Sequence, residues 1–202
     1  MTSLKISILA FDGMEALDFA GPFEVFTTAA RMHQRLHPGS VPWSAVRCVA
    51  MTNGPVTARA GLRVLPDASF DEAMGDVGLL LIPGGVVEEA MQSEATLRWI
   101  RQSATKAGIT ASVCTGAFLL AASGVIRHER VTTHWEDVAD LRQQFPALQV
   151  QTGVRWVDEG RVVTSAGISA GIDMSLHLVA RLGGEELAVR TARQMDFAWT
   201  RN

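Results

Sequence analysis

A mostly parallel α/β sandwich, with helices on both faces of one sheet and a nucleophile elbow at its edge, is the fold class this sequence predicts. Three observations predict it. Short apolar runs alternate with helical stretches, the pattern of a parallel sheet with crossover helices. The chain has 202 residues, which suits one domain over 1–202, since α/β domains commonly reach this size without splitting. Apolar residues make up 48% and charged residues 19%, enough material for one sizeable core.

Each element has its own local signal. Residues 5–11 form an apolar run that reads as a buried first strand. Residues 18–31 read as a helix with Pro22 near its first turn, where a missing N–H does no harm. Residues 43–51 read as a second strand, and 56–66, with Gly61 in the middle, as an antiparallel hairpin attached to the sheet. Residues 77–82 form a fully buried strand that stops at Pro83-Gly84-Gly85. Residues 90–107 carry apolar side chains at helical spacing, 109–113 are short and β-prone, and 115–123 form a small apolar helix. Residues 156–158 and 162–165 pair around Glu159-Gly160, and helices over 171–182 and 185–198 follow. The eight Met and five Trp read as core and interface filler.

Composition excludes several classes of function. The net charge is −3, there is no run of Lys or Arg, and Tyr is absent, so nucleic acid is not an expected partner. The apolar run near the N-terminus breaks at Asp12-Gly13 without a cleavage signature, so no signal peptide is expected. No stretch approaches the ~18 apolar residues of a membrane helix, so no membrane partner is expected either. Two cysteines, Cys48 and Cys114, are too few for a disulfide scaffold, and the cytoplasm is the default compartment. His33, His37, His128, His134 and His177 lack metal-ligand spacing, and no phosphate loop or dinucleotide fingerprint occurs. The chemistry is expected to need no metal and no cofactor.

The strongest local signal is the run from Ile109 to Ala122. A β segment ends at Cys114, and a helix begins at once with Thr115-Gly116-Ala117. Such an elbow projects one side chain from the carboxyl edge of the sheet, where open α/β sheets place ligands. Free N–H groups and the positive helix end there would favour thiolate, bringing the cysteine pKa down from about 8.5. A lone cysteine is also often just a small buried hydrophobe, and position alone leaves the two readings level. Cys48 lies mid-strand with no helix after it and reads as packing.

The run Ser112-Val-Cys114-Thr-Gly-Ala-Phe-Leu-Leu-Ala121 resembles the elbow of the ThiJ/PfpI superfamily, whose members are similar to class I glutamine amidotransferase domains. Four more segments fit in order: Asp18-Phe-Ala-Gly-Pro22, Ile82-Pro-Gly-Gly85, Thr132-Thr-His-Trp135 and Ala166-Gly-Ile-Ser-Ala-Gly-Ile-Asp173. The resemblance implies a flavodoxin-like sandwich and a homodimer. Within the superfamily the pattern is most similar to isocyanide hydratases and to the sensor domains of AraC-type regulators. PfpI-like peptidases carry His directly after the cysteine, where this chain has Thr115. Deglycase-like members carry Glu in the first βα segment, where this chain has Asp18.

Alone, Asp18 reads as a helix cap; the resemblance gives it the role of proton shuttle beside Cys114. Gly85 or Val86, with the Thr115 N–H, would form an anion-stabilising pocket, and an ordinary βα turn is the plainer alternative. Ile168 and Ser169 would line the pocket at a strand end beside Cys114. Thr133 reads as the N-cap of a helix beginning near Trp135, and His134 as structural. The resemblance thus implies an isocyanide hydratase-like lyase acting on a small molecule through a Cys114 thioimidate. The rival is a non-catalytic small-molecule or redox-sensing domain. Because the sequence stops at Asn202, with no helix-turn-helix segment in view, the enzyme is the expected reading.

Overall fold

Strand β1 (Leu4–Leu9) leads through Asp12-Gly13 into α1 (Ala16–Leu36), and β2 (Ser44–Ala50) follows. Next come the hairpin strands β3 (Val56–Thr57) and β4 (Arg63–Val64), the short strand β5 (Ala68–Ser69) and the buried strand β6 (Leu79–Ile82). Helices α2 (Glu88–Gln92) and α3 (Glu94–Lys106) lead to β7 (Ile109–Val113) and α4 (Gly116–Ala122). After β8 (Arg130–Val131), one 3-10 turn at Trp135–Asp137 and α5 (Val138–Gln144) lead to β9 (Gln149–Val150). Strands β10 (Trp156–Asp158) and β11 (Val162–Ser165) and helices α6 (Ala170–Gly183) and α7 (Glu185–Gln194) complete the elements. The computed structural model describes residues 3–73, 75 and 77–201; residues 1, 2, 74, 76 and 202 of the expected domain lie outside the described residues.

The main sheet runs β10-β11-β7-β6-β1-β2-β5, parallel except where β10 pairs antiparallel with β11. Ile6 stands opposite both Val46 and Leu79, and Leu79 opposite Ile109. All four residues of β6 are fully buried, as are Ile6 and Ile8 of β1. Central parallel strands are covered on both faces, so they read as unbroken apolar runs rather than as alternation. Each such side chain contributes about 1.5–3 kcal/mol by leaving water. Helices α1, α6 and α7 pack together as one layer, while α4 lies on β6 and β7 with α2 and α3 beside it.

From β1 the chain steps out to β2 and β5, then returns to the other side of β1 for β6 and β7. The strand order therefore reverses between β1 and β6. Open α/β sheets bind ligands at the carboxyl ends of the strands at such a point. Asp18, Gly84 and Cys114 follow the carboxyl ends of β1, β6 and β7 in turn.

Several expectations are corrected. The hairpin β3–β4 is a separate two-stranded sheet. It leans on the β1–α1 connection, with Gly13 N–H donating to Thr57 O (2.9 Å) and Arg59 N–H to Met14 O (2.9 Å). Strand β5, not the hairpin, extends the main sheet beyond β2. The helix expected over 90–107 divides at Ser93, whose hydroxyl accepts from Thr96 N–H and starts α3 afresh. Helix α1 starts at Ala16, so Pro22 lies inside it, a turn beyond the position where proline is harmless.

Candidate active site

The elbow is real, and it is strained. Cys114 has φ 56°, the left-handed region that non-glycine residues rarely occupy. Such a conformation costs on the order of 1–3 kcal/mol and persists only where neighbours over-determine it. Three contacts do so here. Cys114 N–H donates to Ser165 O of β11 (3.1 Å), Ala117 N–H donates to Cys114 O (3.4 Å), and the Thr133 hydroxyl donates to the same carbonyl (2.9 Å). Helix α4 can start this close to β6 because position 116 is glycine: a Cβ there would stand 2.3 Å from Ile82 O.

Asp18 is fully buried on the first turn of α1. It does not cap its helix. Glu15 occupies the N-cap position, and Asp18 Oδ2 accepts instead from Gly84 N–H (3.1 Å) across the strand ends. Oδ1 has no hydrogen-bond partner. Position 84 must be glycine, since a Cβ would stand 2.6 Å from Thr115 N and 2.9 Å from Asp18 Oδ2. Burial pushes the Asp18 pKa up to about 7; the Gly84 N–H opposes this, the nearby Glu15 adds to it, and the Cys114 thiol opposes it.

The thiol contradicts the sequence-based expectation of a lowered pKa. Cys114 is only 7% exposed, and its pKa is pushed up to about 12, first by burial and then by the Asp18 charge. The backbone N–H groups of Thr115 and Ile168 act in the opposite direction but do not prevail. Desolvation of the buried thiol outweighs the favourable N-terminus of α4. Cys114 and Asp18 therefore work as a pair: an ionised Asp18 keeps the thiol protonated, and a protonated Asp18 removes that obstacle. Cys48, mid-strand and buried, is pushed up to about 12 by burial first and then Asp67, as a packing residue would be.

The anion pocket also differs from the expected one. Val86 N–H is taken by Gly13 O (2.9 Å), and Gly85 N–H by the Thr115 hydroxyl (2.8 Å). That hydroxyl donates back to Gly85 O (2.9 Å), tying the β6 loop to the elbow. Neither Gly85 nor Val86 has an N–H left for an anion. The donors that favour a charged sulfur belong to Thr115 and Ile168, and Ile168 has the left-handed φ of 36°.

A cavity of about 340 Å³ opens above the thiol, at the small end of ligand sites. Cys114, Thr115, Gly85 and Ile168 are among its lining residues. Glu15, Arg59, His134, Glu136 and Asp137 also line it, a polar surround for the buried thiol. Val86 and Ser169 are not part of this lining; Ser169 faces a neighbouring cavity and accepts from Arg155 Nη2 at 3.5 Å. Thr133, expected as a helix cap, spends its hydroxyl on the elbow carbonyl. His134, expected as structural, lines the cavity, with Nδ1 3.3 Å from Asp137 Oδ2 and 3.7 Å from Glu136 Oε2. Arg59 arrives on the hairpin and lies 4.0 Å from Glu15. Nothing local in the sequence marks Arg59; the Thr132–Trp135 segment did mark His134, but not its position.

Comparison with known proteins shows the family and the fold. The DJ-1/PfpI family model matches residues 4–181. An isonitrile hydratase of Pseudomonas putida is 34% identical over 197 residues, 97% of this chain and 79% of that protein. The transcriptional regulator CdhR of Pseudomonas aeruginosa, of the HTH type, is 28% identical over 92% of this chain, which spans 53% of the regulator. A THiJ/PfpI family protein from Pseudomonas syringae, 28% identical, superposes with a TM-score of 0.85, covering 100% of this chain and 78% of that one.

Proposed function

This chain belongs to the DJ-1/PfpI family, and from that premise we propose that it is an isocyanide hydratase-like lyase. It adds water to a small isocyanide and releases the N-formamide, with Cys114 as nucleophile and Asp18 as proton shuttle. The observation that carries this reading is the buried Asp18–Cys114 pair at the point where the strand order reverses. The similarity to the Pseudomonas putida isonitrile hydratase supports it.

The chemistry follows from the residues. The terminal carbon of R–N≡C accepts a nucleophile and a proton at the same atom. Asp18, with a pKa near neutrality, takes the thiol proton as the sulfur–carbon bond forms and hands it to that carbon. The product is the thioimidate R–N=CH–S–Cys. Asp18 then takes a proton from water as the oxygen bonds to the same carbon, and the substrate nitrogen is protonated. The carbon–sulfur bond breaks, the sulfur recovers a proton, and R–NH–CHO leaves. Thr115 and Ile168 N–H groups stabilise the sulfur whenever it carries charge. Covalent catalysis thus divides one hard hydration into two easier additions. No amine has to be expelled, so no cysteine–histidine–aspartate triad is required.

We place the enzyme in the cytoplasm, where Cys48 and Cys114 stay free thiols, and assign it a homodimeric assembly. Light scattering at micromolar concentration is expected to give twice the chain mass; a monomer would refute the dimer. The function is tested by incubating purified protein with alkyl and aryl isocyanides, without added metal or nucleotide, and following formamide by chromatography. Turnover of at least one is expected. Binding without turnover would replace the lyase with a sensor domain of the kind found in the regulator relatives.

A further inference from the structure

The end of α1 holds a cluster of side chains far from the cysteine. His33 and His37 stand four residues apart, and their ring centres lie 4.8 Å from each other. Side chains at i and i+4 share one face of a helix, the interval by which two histidines can grip one metal ion. The expectation that no histidine has ligand spacing is corrected for this pair. Both rings line a cavity of about 730 Å³ together with Leu4, Ser40, Trp43 and Leu182. Leu4 opens β1, so this cavity lies at the amino edge of the sheet, whereas Asp18 and Cys114 lie at the carboxyl edge. Fifteen residues of α1 separate Asp18 from His33, about 22 Å along the helix.

Three observations point to a ligand for the pair. An imidazole bound to a metal at about 2.0–2.1 Å places its ring centre roughly 3.2 Å from the ion, so two neighbouring ligands at about 90–110° bring ring centres about 4.5–5.2 Å apart. The observed 4.8 Å falls inside that range. His33 Nδ1 is sealed from solvent and has no hydrogen-bond partner, the kind of orphan atom that a bound ion explains. The pair also sits where α1, 21 residues long, ends in carbonyls that favour a cation. Arg35, between the two in the chain, is held instead by Gln194 Oε1 (3.0 Å). We propose that His33 and His37 form a two-histidine chelate for a divalent transition metal, with water in the cavity completing its coordination. Among the described residues no group of three or more His, Cys, Asp or Glu is placed to hold a metal, so the site is open rather than closed. Imidazoles without carboxylate partners select Cu(II), Ni(II) and Zn(II) over Mg(II) and Ca(II), and Cu(II) binds most tightly of these. The ion clips the last turn of α1 and stabilises the folded chain without touching the chemistry at Cys114.

The test is calorimetric titration of CuCl2 into the full chain carrying Cys114→Ala, which removes the reactive thiol as a competing ligand. One Cu(II) per chain is expected with a Kd on the order of 1 μM, and electron paramagnetic resonance should show nitrogen ligands. His33→Gln and His37→Gln keep a polar side chain but no imidazole, and each is expected to weaken binding roughly tenfold or more. His128→Gln, at an exposed histidine on another segment, should leave the affinity unchanged. With Cu(II) about a hundredfold above Kd, the Tm of the parent should rise by about 5–10 °C, a rise that either Gln substitution at the pair removes. MgCl2 should give neither heat nor a Tm change. Binding no tighter than about 1 mM, or binding that survives both substitutions at the pair, would overturn the site. A loss of affinity in His128→Gln equal to theirs would do the same. Isocyanide turnover enters none of these measurements, so the chelate stands or falls apart from the proposed reaction.

Discussion

Cys114→Ala and Cys114→Ser are expected to leave no measurable formamide production, while both proteins keep the wild-type circular dichroism spectrum. Alanine has no nucleophile, and a serine hydroxyl ionises far less readily than a thiol. Asp18→Asn keeps the shape of the carboxyl and an oxygen for Gly84 N–H, but it cannot carry a proton. Loss of a general acid–base group typically lowers the rate about 10²- to 10⁴-fold, and the same is expected here. The pH profile gives the sign. Asp18 must be ionised to accept the thiol proton, so kcat/KM should rise with pH through about 7, where Asp18 loses its proton. It should then stay level, since the thiol is pushed up to about 12. The Asn variant's residual rate should lack the inflection near 7. A fully active Asp18→Asn protein would reduce Asp18 to a structural bond with Gly84.

The same residue is expected to govern stability in the direction opposite to most carboxylates. Asp18 has a folded pKa near 7 and an ordinary value of 3.8 when unfolded, the rise being caused chiefly by burial. Between those values the folded state holds a proton that the unfolded state has released. Unfolding free energy therefore falls as pH rises from about 4 through 7. The stability is fully present below the unfolded value and lost above the folded one. The difference amounts to about 4 kcal/mol for a group that is fully buried, as Asp18 is. Asp18→Asn removes the buried charge, so at pH 8 the variant should exceed wild type, with a Tm increase on the order of 10 °C. At pH 3 the two should unfold together, because the aspartic acid is then neutral in both states. Calorimetry across this range checks it. A variant no more stable than wild type at pH 8 would mean that the native site accommodates the charge without penalty. Activity and stability would thus be opposed at one position, the exchange expected where a catalytic group is held in an environment that disfavours it.

Much of the architecture was legible because it rests on short-range physics. The runs at β1, β6 and β7 are continuous and apolar, so they announced strands covered on both faces. A β run meeting a small-residue helix announced the elbow at Cys114, and the order of four further motifs around it pointed to the family. What failed were boundaries and partners whose determinants lie far away in sequence. The division at Ser93 turns on one capping hydroxyl, and the start of α1 at Ala16 precedes the first residue of the expected helix by two positions. The separation of β3–β4 from the main sheet depends on Asp12 and Gly13 reaching Thr57, contacts that no periodicity records.

The site divides along the same line. By itself the sequence determined which residues meet, Cys114 with Asp18 and the loop after Ile82, since chain order on a parallel sheet brings the ends of β1, β6 and β7 to one edge. The tertiary structure alone decided what those residues can do. Thr115 and Gly13 consume the N–H groups of Gly85 and Val86, Thr133 supports the elbow instead of capping a helix, and Arg59 and His134 enter from distant segments. Burial reverses the thiol pKa expected from a helix N-terminus. The physical reason is that identity and spacing travel along the chain, whereas desolvation and hydrogen-bond competition depend on every neighbour at once. Burial raises the Cys114 thiol first, and the buried Asp18 carboxyl beside it adds to the rise.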